Sequence, residues 1–89
     1  MQCICKSIVT ASSSIGANIH EAKYAQSTVD FVHKLEIALK ESSETDYWLE
    51  IMYRKQKFSE EVYKRLKNDC GIIRRKLIAS ITTAKKSSI

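Results

Sequence analysis

The chain has 89 residues, a formal net charge of +5, no proline and only two glycines, Gly16 and Gly71. That length makes one small domain near the lower limit for a self-sufficient core. The scarcity of turn-forming residues argues against strands and hairpins and for an all-helical chain. No apolar run approaches the length needed to cross a bilayer. The start, MQCICKSIV, lacks an apolar core followed by a small-residue cleavage site, so the expectation is a soluble cytoplasmic protein with no membrane partner.

A first helix is expected from about residue 2 to 24. Ile4, Ile8, Ala11, Ile15, Asn18 and Ala22 alternate at spacings of four and three, the period of a helix seam. Ser12, Ser13, Ser14 and Gly16 have low helix propensity, and Gly16 alone costs about 1 kcal/mol. Such a helix forms because neighbours hold it. Its small residues would also let another backbone come close. Asn18 and Glu21 place polar groups near the core, where they need partners. They read either as a hydrogen-bonded pair reaching Ser42 or Thr45 to fix helix register, or as a polar site at a subunit interface.

The second helix, about 28 to 53, is the centre of the chain. Phe31, Leu35, Ala38, Ser42, Thr45, Leu49 and Met52 form a seam along its whole length, with Ser42 and Thr45 where leucines would be expected. Ser27 has the character of an N-cap. Trp48 and Ile51 widen the apolar side, which predicts contact with more than one neighbour.

Ser59 is the next N-cap, with Glu60 and Glu61 in the first turn, where the helix dipole favours acids. The third helix, about 60 to 86, carries an expected apolar stripe of Val62, Leu66, Cys70, Ile73, Leu77, Ile81 and Ala84. Lys64, Lys67, Gly71, Arg74 and Arg75 are assigned to its opposite side. Short connections make consecutive helices antiparallel. Three helices with one weak, serine-rich member leave apolar surface unpaired, so a further helix is expected from another chain or from a segment not present here.

Charge is unevenly spread. Residues 1–53 balance at −3 and residues 54–89 at +8. The basic third suggests an acidic partner such as RNA, and equally describes a solvated lysine-rich face. Arg54, Lys55, Lys57, Lys64, Lys67, Arg74 and Arg75 are the candidate phosphate contacts.

Sites of chemistry are scarce. Cys3, Cys5 and Cys70 cannot all pair, and C-x-C is neither a zinc knuckle nor a redox C-x-x-C. They read as reduced thiols, with Cys70 a small core residue. Asp30 and His33, with Glu41 and Glu44, are spaced like half of a di-iron site, which would require a second such motif. No nucleophile–base arrangement or phosphate loop is present. The expectation is no enzyme, no metal, no cofactor and no small-molecule substrate.

The stretches SSSIGANIHEA (12–22), AQSxxDF (25–31), KLxIALKExxETxYWL (34–49), SEE (59–61) and IxxAKK (81–86) resemble the bacterial four helix bundle protein family. That family includes the 23S rRNA-intervening sequence proteins, also called S23-like. The resemblance implies an up-down antiparallel four-helix bundle, assembly into rings that are typically homopentamers, and no established enzymatic activity. A related branch, the basic accessory protein of diversity-generating retroelements, works with a reverse transcriptase and RNA, which implies a nucleic-acid or ribonucleoprotein partner. The three helices here resemble the family's second, third and fourth. The family's first helix is expected to precede Cys5, and its counterpart is either lost or lies before a late start.

Overall fold

A computed structural model describes residues 2–87, with side chains over 6–86. It consists of three α-helices: α1, Gln2–Lys23; α2, Thr28–Arg54; and α3, Glu60–Ser87. No strand occurs among the described residues. The helices lie side by side in a slender body of 47 × 21 × 14 Å. α2 packs against both of its neighbours, whereas α1 and α3 do not approach one another. The result is a trough with α2 as its floor and α1 and α3 as its walls.

The helix starts follow from the serines. Ser27 is extended at φ −151°, and its side chain accepts the Asp30 N–H at 3.1 Å. Ser59 does the same for the Val62 N–H at 3.2 Å. Each satisfies one of the amides that a helix start leaves without a partner.

The end of α2 is less expected. Gln56 takes the left-handed conformation, φ 61°. Its N–H bonds the Tyr53 carbonyl and the Lys57 N–H reaches back to the Met52 carbonyl. This pair of bonds is the Schellman arrangement, which glycine serves without the Cβ clash that a glutamine carries. Gln56→Gly is therefore expected to raise stability by about 1 kcal/mol, read as a higher urea midpoint at unchanged slope.

The floor of the trough carries the core. Val32, Leu35, Ala38, Ser42, Thr45, Leu49 and Met52 are the buried residues of α2. At the N-terminal end Val32 stands in the seam position expected for Phe31, which is half-buried beside it. A straight helix drifts against a strict seven-residue repeat, and with neighbours on both flanks both positions are covered. α1 contributes Ala11, Ile15 and Ala22, and α3 contributes Cys70, Leu77 and Ile81. Ile8 and Asn18 of the expected α1 seam are half-buried. The side chains of Ile4, Cys3 and Cys5 lie outside the described residues.

Candidate assembly groove and basic face

The α2–α3 contact rotates α3 relative to its sequence pattern. Gly71, expected on the solvated basic side, is buried, and Lys67 and Arg74 are half-buried. Conversely, Ile73, assigned to the apolar stripe, is 39% exposed. Cross-helix contacts account for the rotation. The Tyr53 and Tyr63 rings stack at 4.1 Å between centroids. The Lys67 ammonium pairs with Asp46 at 2.8 Å. The Cys70 thiol donates to the Ser42 carbonyl at 3.3 Å. Lys85 meets Glu36 at 3.3 Å farther along. A half-buried Lys or Arg covers apolar surface with its methylene stem while its head reaches a partner or water, so a cationic residue occupies a seam position that a hydropathy pattern assigns to solvent.

Burial works against the Lys67 ammonium, but the hydrogen bond and charge of Asp46, with Tyr63 and Glu50 adding, outweigh it and raise the Lys67 pKa. Burial, reinforced by Asp46, pushes the Cys70 thiol up from its ordinary 9.0. Both shifts have the same sign for stability. Below the ordinary thiol value the folded and unfolded chains carry the same neutral thiol and charged amine. Above it the unfolded chain ionises Cys70 freely and the folded chain resists. Stability is therefore expected to fall as pH rises above about 9, seen in urea melts of a Cys3→Ser, Cys5→Ser chain at pH 8 and pH 10. The same chain should react slowly with a disulfide reagent at pH 8.

The two polar residues in the α2 seam are satisfied without a neighbouring helix. The Ser42 hydroxyl donates to the Leu39 carbonyl at 2.8 Å and the Thr45 hydroxyl to the Glu41 carbonyl at 3.0 Å. The expected pairing of Asn18 and Glu21 with these residues does not form. The Asn18 amide donates to the Ser14 carbonyl in its own helix at 2.8 Å, and exposed Glu21 pairs with Lys34 of α2 at 3.1 Å. Serine, threonine and asparagine inside a helix commonly bond a carbonyl one turn back, which removes their need for a cross-helix partner. Among the described residues no buried side-chain polar atom lacks a partner.

The open side of the trough is the largest feature of the surface. A groove of about 480 Å³ runs between α1 and α3. Ile8, Ile15 and Ile19 line it from α1, Leu49 from the floor, and Leu66 and Ile73 from α3. A second hollow, formed by Ile19, Leu35, Ile73 and Leu77 with Lys76 and Ser80, continues it along the bundle. Ser12 and Gly16 lie on the α1 wall, and a methyl group added at Gly16 would meet nothing within 4 Å.

The seven candidate phosphate-binding cations are not one patch. Arg54 pairs with Glu50 at 2.9 Å and Lys64 with Glu60 at 3.2 Å, each one turn away on its own helix. Lys67 is held by Asp46, and Arg74 is half-buried. Lys55, Lys57 and Arg75 are exposed. Arg65 and Lys76, also exposed, extend the positive outer face of α3; the sequence pattern did not single them out because they fall between the three- and four-residue steps of the basic stripe. His33 is exposed, and among the described residues no group of three His, Cys, Asp or Glu side chains could hold a metal. No helix among the described residues is long and apolar enough to cross a membrane.

The family model of the 23S rRNA-intervening sequence protein matches residues 2–79. The chain belongs to that family. A search of the curated proteins returns no match. Among solved structures, it is similar to a 1.70 Å crystal structure of a protein of unknown function from the S23 ribosomal protein family of Bacteroides thetaiotaomicron. The two are 47% identical with a TM-score of 0.87, over 89% of this chain and 70% of that one. The fold of this family member is all-α, and the structural relative is longer than the shared three-helix portion.

Proposed function

We propose that this member of the 23S rRNA-intervening sequence protein family is a non-enzymatic assembly module that completes a four-helix bundle by taking a further helix into the α1–α3 groove, and so exists as a homo-oligomer. The apolar groove carries this reading. Ile19 and Ile73 are 41% and 39% exposed at its rim, and a hollow of this size lined by isoleucine and leucine is the surface that partner helices cover. The longer structural relative supports it, since 70% of that chain accounts for the three helices here. Sedimentation velocity from micromolar to near-millimolar protein tests it. Association at the lower concentrations is expected, and a 10.2 kDa species throughout would overturn the reading.

A second reading, RNA or ribonucleoprotein binding by the outer face of α3, is favoured by the +8 balance of residues 54–89 and by exposed Lys55, Lys57 and Arg75. An oligomer would repeat weak phosphate contacts and strengthen them by multivalency. Fluorescence anisotropy with structured RNA is expected to give binding that weakens steeply with salt and is lost in an Arg75→Glu, Lys76→Glu chain. Binding indifferent to both would remove α3 as the contact.

A further inference from the structure

From Ser7 to Ile19 no residue of α1 carries a charge, although Val9, Ser12, Ser13, Gly16, Ala17 and Ile19 are exposed. The solvent faces of the other two helices are different in kind. On α2 the exposed positions include Glu36, Lys40 and Glu44, and on α3 they include Lys64, Arg65, Arg75 and Lys76. A helix without charge on any side is one that is covered on more than one side. α1 is covered by α2 along the Ala11, Ile15 and Ala22 line alone, because α3 stands away from it across the groove.

The groove selects its occupant by the same criterion. A helix seated against Ile8, Ile19, Leu66 and Ile73 must present an uncharged face, since a charge buried there without a partner is costly. Within this chain neither α2 nor α3 has such a face left, and the groove-side flank of α1 does. That flank is also narrow enough for close approach, with Ser12 and Gly16 one turn apart and open space where a Gly16 Cβ would stand.

We infer that the occupant is α1 of a second copy, lying antiparallel along this α1 and packing its Ser12–Gly16–Ile19 flank against the same flank here and against Leu66 and Ile73 of the opposite wall. The contact is isologous: one surface meets itself about a two-fold axis, and each copy covers the other's groove. The inference rests on the assembly reading above and names the surface responsible for it.

Sedimentation equilibrium of three variants, with helix content followed by circular dichroism, tests this. Ser12→Lys puts a charge on the flank at a position exposed in the single chain, so helix content should stay constant while self-association weakens at least tenfold. Gly16→Ala favours the helix by its propensity but thickens the flank. It should fold at least as well and also associate more weakly. Ile78→Lys, on an exposed position of α3 away from the groove, should associate as the unaltered chain does. Ser12→Lys and Gly16→Ala chains that associate normally would overturn the inference and leave the assembly reading standing, the more so if Ile78→Lys abolishes association. An unaltered chain that is monomeric throughout would overturn both.

Discussion

Truncating Leu35 to alanine is expected to cost about 2–5 kcal/mol, a large part of the stability of a domain this small. Leu35 is 4% exposed and belongs to the cluster of Ile15, Ala22, Val32, Ala38, Leu77 and Ile81. This is where side chains from all three helices meet. A hole there removes contacts to both walls of the trough at once, and neither wall can collapse inward without losing its packing elsewhere along α2. Thermal and urea denaturation would measure the loss, with the melting point lower by roughly ten degrees or more. A change below about 1 kcal/mol would mean that Leu35 does not join the helices. Ile73→Ala provides the comparison. Its side chain faces the groove and is 39% exposed, so a single chain should lose little, while an assembled one should lose association as well as stability.

The second large effect is expected from enlarging Ala38 to leucine. Ala38 is fully buried, and the α1 residues buried against α2 include Ala11 and Ala22. Small side chains on both helices set how closely their axes approach. Three added carbons at Ala38 must push α1 outward or force rotamers off their minima, at about 1–3 kcal/mol. The direction is opposite to that expected from hydrophobicity alone, since leucine is the more apolar residue and the better seam former. Circular dichroism should show retained helix with a lowered urea midpoint. An unchanged or raised midpoint would mean that α1 and α2 are not closely packed at this level.

Much of the architecture was legible because each helix carries its own start signal and period. Ser27 and Ser59 cap as their positions suggest, and the α2 seam from Leu35 to Met52 is buried residue for residue. The orientation of α3 was not legible. Its period is clear, but the contacts of Lys67 with Asp46 and of Cys70 with the Ser42 carbonyl turn Gly71 inward and leave Ile73 outside. Hydropathy treats a lysine as a solvent residue and does not register a carboxylate waiting on the neighbouring helix. The left-handed Gln56 was hidden for a related reason, since the signal sought at a helix end is glycine and the chain has none there. Asn18 was assigned a cross-helix partner because it lies on a seam, whereas a carbonyl one turn back in its own helix satisfies it.

The candidate site was legible in outline only. Unpaired apolar surface could be inferred from three amphipathic helices, but not its location between α1 and α3, which depends on α2 touching both while they stay apart. The basic third of the chain was plain in the sequence. Its division into cations held by Glu50, Glu60 and Asp46, a half-buried Arg74, and an exposed group with Lys55, Lys57 and Arg75 required coordinates.

The central claim is that the α1–α3 groove is covered in the protein as it exists in solution. Methyl NMR with a soluble nitroxide addresses it most directly. Val29, 79% exposed on α2, and Ile78, 47% exposed on α3, serve as open references. At protein concentrations that favour assembly, the methyl signals of Ile8, Ile19, Leu66 and Ile73 should be shielded from the nitroxide while those of Val29 and Ile78 broaden. Groove methyls that broaden as strongly as Val29 would contradict the account.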